Sequence, residues 1–217
     1  MSRRMEQYTQ RTLAQEWRQH CDTLGATPAA TEQWYKHLSL EYQRPGRHYH
    51  TLEHIVQMLN IARPLQQHFS AWCPAFFAIW FHDAVQGRGN NNELESAQLA
   101  QQALTQLGAP ASVAKHTYQM ILASETHDAP KDNDSALFID CDLSILGSPT
   151  RAYQHYAQQC RKEYPVPDCL YRMGRRRFLN TLLARESIYQ TPLAKCRLEK
   201  QARHNINMEL ATLGATR

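Results

Sequence analysis

Three short segments of this chain combine imidazole and carboxylate side chains in a way that suits a cation. They are His50 and His54 in HYHTLEH, His82 and Asp83 in WFHD, and Asp140 and Asp142 in DCDLSILG. His82 and Asp83 end an almost uninterrupted apolar run, AFFAIWFHD. Burying an imidazole and a carboxylate there is costly unless both are paired or bound to a cation. A divalent metal removes that cost, because it takes neutral imidazole and ionised carboxylate as donors. His50 and His54 are spaced so that, on a helix, both project from one face toward a common point. Either is a candidate third donor.

The fourth donor should be another carboxylate in the core. Asp140 and Asp142 point to nearly opposite sides of a helix, so only one of them can face the metal. Asp142 has Phe138, Ile139, Ile145 and Leu146 about a turn away, whereas Asp140 has Ala136, Leu137, Leu143 and Ser144. The more apolar surround predicts Asp142 as the ligand. Asp140 is left as a cap, a group orienting the ligands, or a solvated acid. The chain has 11 histidines, and His20, His37, His68, His116 and His155 read as surface or satisfied core residues.

These groups must be positioned by helices. Leu13, Trp17, Cys21 and Leu24 recur at helical spacing up to Gly25, and Thr27-Pro28 is a cap followed by proline at a first helical position. Trp34, Leu38 and Tyr42 stripe the next helix, which Pro45-Gly46 breaks. The pattern predicts a third helix starting around His50 and running until Pro64 interferes. Pro74 opens the apolar helix Ala75–Phe81, and a polar loop joins it to a helix starting at Glu93. Further helices are expected from Pro110 to Ser124, Asp134 to Leu146, Ser148-Pro149 onward (cap plus proline), Asp168 onward, and Leu193 to Leu213. No strand-like alternation of useful length occurs. The expectation is an all-α protein: a compact helical bundle of about ten helices in a single domain covering 1–217.

Bulk composition narrows the functional classes. Apolar residues make up 42% and charged residues 20%, with 8 Gly and 10 Pro, which argues against disorder and turn-rich β folds. A net charge of +4 is too mild to imply nucleic acid. Arg172, Arg175, Arg176 and Arg177 crowd one stretch, to be read as a solvated face or as an anion-facing patch. The six cysteines have no metal-type spacing and read as free thiols. No stretch approaches a transmembrane span, so the expectation is a cytoplasmic protein without membrane partners.

HYHTLEH, WFHD and DCDLSILG, in that order on a helical chain, resemble the HD-domain superfamily of metal-dependent phosphohydrolases. NELESA, IYQTP and ARHNINMEL extend the likeness over most of the chain, toward a bacterial branch of uncharacterised HD phosphohydrolases. Cyclic-nucleotide phosphodiesterases are a more distant comparison. Their Y-H-N-x-x-H segment uses its first His as proton donor and its second as ligand. The resemblance thus implies His54 for the metal and His50 for acid–base work, and the D-L-S motif implies Asp142. Gln86 stands where those phosphodiesterases carry a further His, so one metal is expected rather than two.

The implied function is hydrolysis of a phosphate ester or anhydride, in a nucleotide or similar small phosphorylated metabolite, by metal-activated water. The ligand set His54, His82, Asp83 and Asp142 suits Mn, Fe, Co, Ni or Zn better than Mg. His50 is expected to protonate the leaving oxygen, and Glu93 to orient water or merely partner a helix N-terminus. Arg47 is a candidate phosphate contact and Tyr49 a pocket wall. His127 and Asp140 are candidates for a second metal or a supporting shell. Two other classes compete: a di-iron HD-type oxygenase, and a non-catalytic metal- and nucleotide-binding regulatory module.

Overall fold

The computed structural model describes residues 3–87, 91–127 and 132–214, with the side chains of the first helix from residue 12 on. Among the described residues ten α-helices follow one another: α1 (Arg3–Thr23), α2 (Pro28–Glu41), α3 (Leu52–Ala62), α4 (Trp72–Phe81), α5 (Asn92–Gln106), α6 (Ala111–Ala123), α7 (Asn133–Asp142), α8 (Thr150–Glu163), α9 (Asp168–Ala184) and α10 (Pro192–Gly214). Two 3₁₀ stretches, Arg63–His68 and Leu143–Gly147, follow α3 and α7. There is no strand among the described residues. The fold is all-α, as the periodicity predicts. Close contacts divide the chain into two compact units: residues up to Pro45 with His50–Phe138, and Gly46–Tyr49 with Ile139 onward.

In the first unit α4 is the central element. Every residue from Pro74 to Phe81 is buried, and a helix apolar on all sides has to be enclosed by others. α3, α5 and α6 pack around it. Trp17 of α1 meets Phe77 edge-on at 5.5 Å and Trp80 at 5.1 Å. Tyr42 donates its hydroxyl hydrogen to the Trp80 carbonyl at 2.9 Å. Pro74 falls in the first turn of α4, where its missing N–H costs nothing. The buried Asp134 accepts from the Ser70 and Ala71 N–H groups at 2.7 and 2.9 Å, fastening the residues that lead into α4.

Three boundaries differ from the sequence reading, each for a local reason. Thr51, in extended conformation, caps α3 by accepting from the Glu53 N–H, so the helix starts at Leu52 and His50 lies outside it. The expectation that His50 and His54 share a helix face is therefore wrong. α7 stops at Asp142 and tightens into the 3₁₀ stretch instead of running on to Leu146. Pro149, not Ser148, is the residue capping α8, and the Ser148 hydroxyl is buried without a hydrogen-bond partner. The Thr27-Pro28 start holds, with the Thr27 hydroxyl accepting from the Ala30 N–H at 3.3 Å.

In the second unit α10 packs against α8, α9 and the Leu143–Gly147 stretch. Asn205, fully buried, donates to the Leu146 and Ser148 carbonyls at 2.8 Å each, satisfying groups that the end of the 3₁₀ stretch leaves over. The arginine run is neither a solvated face nor an anion patch over most of its length. Arg175 pairs with Glu209 with only 9% of its side chain exposed, while Arg172 and Arg176 donate to the Leu213 and Leu210 carbonyls near the end of α10. Cations there also suit the helix dipole. Arg177 alone of the four is exposed.

Gly147 is where α10 comes closest. A Cβ at that position would lie 2.6 Å from the Leu198 Cβ, 2.9 Å from the Leu198 carbonyl and 2.9 Å from the Tyr189 hydroxyl. Helix backbone cannot swing aside as a side-chain tip can. Gly147→Ala is expected to destabilise by about 2 kcal/mol and to lower the thermal midpoint by about 4–8 °C. Thermal unfolding followed by circular dichroism checks this; an unchanged midpoint would mean that α10 accommodates the methyl freely.

Candidate metal centre

The chain delivers two side chains to one point by ending α4. His82 closes that helix, its N–H bonded to the Ala78 carbonyl at 2.9 Å, and Asp83 follows in the turn. The Thr51 cap places His54 in the first turn of α3. His54 and His82 are both buried, and their Nε2 atoms stand 3.2 Å apart. The Asp83 Oδ2 lies 3.0 Å from the His82 Nε2 and 3.8 Å from the His54 Nε2. It is also 3.8 Å from the His50 Nε2, so the histidine outside α3 still reaches the cluster. The His50 and Asp83 side chains keep 27% and 29% exposure, against 2% for His54, which gives the group a closed inner side and an open outer one.

Tautomers decide what this arrangement can do. The His82 Nδ1 is 3.0 Å from the Ile79 carbonyl, which has no hydrogen to give, so Nδ1 is the donor. In the neutral ring Nε2 then carries a bare lone pair directed at the His54 Nε2 and the Asp83 carboxylate. Hydrogen bonding of the far nitrogen to a backbone carbonyl is the usual support for a metal-ligating imidazole. Two buried imidazole nitrogens and a carboxylate oxygen at this spacing are a donor set that fits a divalent transition ion.

The other candidates fall as follows. Asp142 is the last residue of α7 and is half-buried. Asp140 is the more deeply buried of the pair, at 4% exposure, which reverses the burial ranking expected from the neighbouring residue types. The chain leading into α10 covers it: Oδ1 accepts from the Gln190 N–H and Oδ2 from the Thr191 N–H, each at 2.7 Å. Burial raises the Asp140 pKa above the ordinary carboxylate value, and those N–H groups pull it back only in part. Asp140 is thus a brace for the start of α10, close to the capping role considered for it and far from a solvated acid.

Cys141, between the two aspartates, is pushed up to about 12 by burial, with Asp140 and Asp142 adding to the shift. It remains a thiol at neutral pH, and all six cysteines are free.

Arg47 and Tyr49 belong to the second unit. Arg47 is buried, and the Tyr49 ring packs edge-on against Tyr156 with 4.6 Å between centroids. Glu93 lies in the first turn of α5 beside Glu95, where the helix dipole favours carboxylates. His127 is half-buried in the segment after α6 with a left-handed φ of 52°. Gln86 is exposed in the turn region beyond Asp83. Sequence reasoning missed Glu163, whose buried carboxylate accepts the His48 and Tyr49 N–H groups at 2.7 and 2.8 Å. Standing at the end of Arg161-Lys162-Glu163, it reads in the sequence as one more solvated charge.

No helix among the described residues is long and apolar enough to cross a membrane. No protein-family model matches the chain, and no curated protein or solved structure matches it either.

Proposed function

We propose that the chain is a metal-dependent phosphohydrolase, with one divalent transition metal held by His54, His82, Asp83 and Asp142 and with His50 as the proton donor. The observation that carries the reading is the pair of buried Nε2 atoms 3.2 Å apart, with His82 locked in the tautomer that bares its Nε2. Without a cation the His54 Nε2–H can donate to the bare His82 Nε2; with one, both rings would turn Nε2 lone pairs to it beside the Asp83 carboxylate.

Asp142, in the second unit, is included on the sequence likeness: its D-L-S segment resembles that of the phosphodiesterases. The metal would supply Lewis-acid polarisation of a phosphoryl oxygen and a lowered pKa for water.

The protein's own groups supply orientation and protons. His54 and His82 are buried while His50 and Asp83 keep 27% and 29% side-chain exposure, which favours approach of a phosphate ester from their side. His50, a quarter exposed and 3.8 Å from Asp83, is the group proposed to give its proton to the leaving oxygen. The preference for a small phosphorylated metabolite, a nucleotide above all, rests on the likeness of the motifs.

The test is to measure metal per chain in purified protein, then screen nucleotides, sugar phosphates and pyrophosphate with Mn²⁺, Fe²⁺, Co²⁺, Ni²⁺ and Zn²⁺ added. Phosphate release that depends on metal supports the reading. Metal retained without turnover across the panel would point to a binding module instead, and two irons with oxygen consumption to an oxygenase. His50→Ala is expected to lower kcat by about 10²–10⁴-fold with metal content unchanged. Loss of metal in that variant would mean that His50 is a ligand rather than the proton donor.

A further inference from the structure

We propose that Glu163 is a positioning residue that sets the place of His50, an inference that rests on His50 being the proton donor. Glu163 is the last residue of α8, at the negative end of the helix dipole, where a carboxylate is disfavoured. It is also buried, at 8% exposure. A charge in such a place needs a specific use. Its Oε1 accepts two consecutive backbone N–H groups, from His48 at 2.7 Å and Tyr49 at 2.8 Å.

Those two residues lead directly into His50. The segment enters through Gly46, whose φ of +95° turns the chain in a way an L side chain resists. It is then held at Tyr49 by the Glu163 carboxylate and by the edge-on Tyr156 ring at 4.6 Å. On the other side of His50, Thr51 is fixed as the cap of α3. The backbone of His50 is thus pinned at both neighbours although it belongs to no helix. Removing the carboxylate loosens the first pin, leaving only the Tyr156 ring at Tyr49, and leaves the second. The imidazole then samples positions away from Asp83, while His54, His82 and Asp83 are held by α3 and α4 and stay in place.

Misplacement of a reacting group by about 1 Å costs on the order of 10²-fold in rate. Glu163→Ala is therefore expected to lower kcat by about 10–100-fold, with little change in KM or metal content. Glu163→Gln keeps an acceptor oxygen for the two N–H groups and is expected to restore most of the rate. In the background of His50→Ala, Glu163→Ala should add little, because its effect runs through His50.

A second measurement does not depend on turnover. In histidine-ring NMR of the full chain with Zn²⁺ added, the His50 signal, identified by its loss in His50→Ala, should shift or broaden in Glu163→Ala. The signals of His54 and His82 should stay. If wild type releases no phosphate from any substrate, the phosphohydrolase reading fails and the NMR result still decides on Glu163. An unmoved His50 signal, additive losses in the double variant, or no rescue by Glu163→Gln would overturn the proposal.

Discussion

His82→Ala is expected to yield folded protein that neither retains metal nor releases phosphate. Of the proposed ligands His82 is the most completely pre-set: its ring is buried, its Nδ1–H is bonded to the Ile79 carbonyl, and its Nε2 is within 3.2 Å of both other first-unit donors. Removing it leaves, of the first-unit donors, only the His54 Nε2 in α3 and the Asp83 Oδ2 in the turn after α4, 3.8 Å apart. If the cation contributes about 4 kcal/mol to the barrier, its loss lowers the rate by about 10³-fold.

Asp83→Asn is the companion variant, since Asp83 is more exposed and the change preserves its shape, so folding is spared. Both should show substoichiometric metal by elemental analysis and a circular dichroism spectrum like wild type. Stoichiometric metal in His82→Ala, or a rate within a few-fold of wild type, would sink the assigned centre.

How far the sequence foretold this arrangement differs from residue to residue. The His/Asp cluster was legible where burial was unambiguous: an imidazole and a carboxylate closing AFFAIWFHD had to lie at the edge of a core, and they do. The start of α3 was misplaced because the spacing of His50 and His54 looks helical. A threonine in extended conformation outweighed it, since Thr51 satisfies a backbone donor of the first turn and a histidine cannot do so as well.

The ranking of Asp140 and Asp142 by neighbouring residue types also failed. That method counts side chains on the same helix, whereas Asp140 is covered by backbone from Gln190 and Thr191, fifty residues on. Backbone coverage leaves no trace in hydrophobic periodicity. The same holds for Glu163, whose partners are two N–H groups that any residue type would present. Helix content follows from local patterns, but the use made of a buried carboxylate follows from which distant backbone meets it.

The arginine stretch carries the largest stability effect expected outside the His/Asp cluster. Arg175 and Glu209 form a forked pair, Nε to Oε1 at 2.9 Å and Nη2 to Oε2 at 3.1 Å, with side-chain exposures of 9% and 11%. Tyr153 donates its hydroxyl hydrogen to Glu209, and Arg175 donates to the Tyr156 hydroxyl at 3.1 Å while lying 5.1 Å from that ring. Burial works against the charge on Arg175, but Tyr156, Glu209 and Tyr153 around it hold its pKa above the ordinary value. The guanidinium stays charged even without its partner, because its intrinsic basicity lies far above neutral pH.

Glu209→Ala leaves that charge buried beside a tyrosine hydroxyl that has lost its acceptor, a change that costs about 3–5 kcal/mol and lowers the thermal midpoint by about 10 °C. Replacing both partners by apolar residues of similar volume, Arg175→Met with Glu209→Leu, removes the unpaired charge and should recover most of the loss. Urea unfolding of wild type, both single variants and the double variant closes the cycle. A loss below about 1 kcal/mol in Glu209→Ala would place the pair with weak surface ion pairs and leave the joining of α9 and α10 to apolar packing and to the Arg172 and Arg176 bonds to α10 carbonyls.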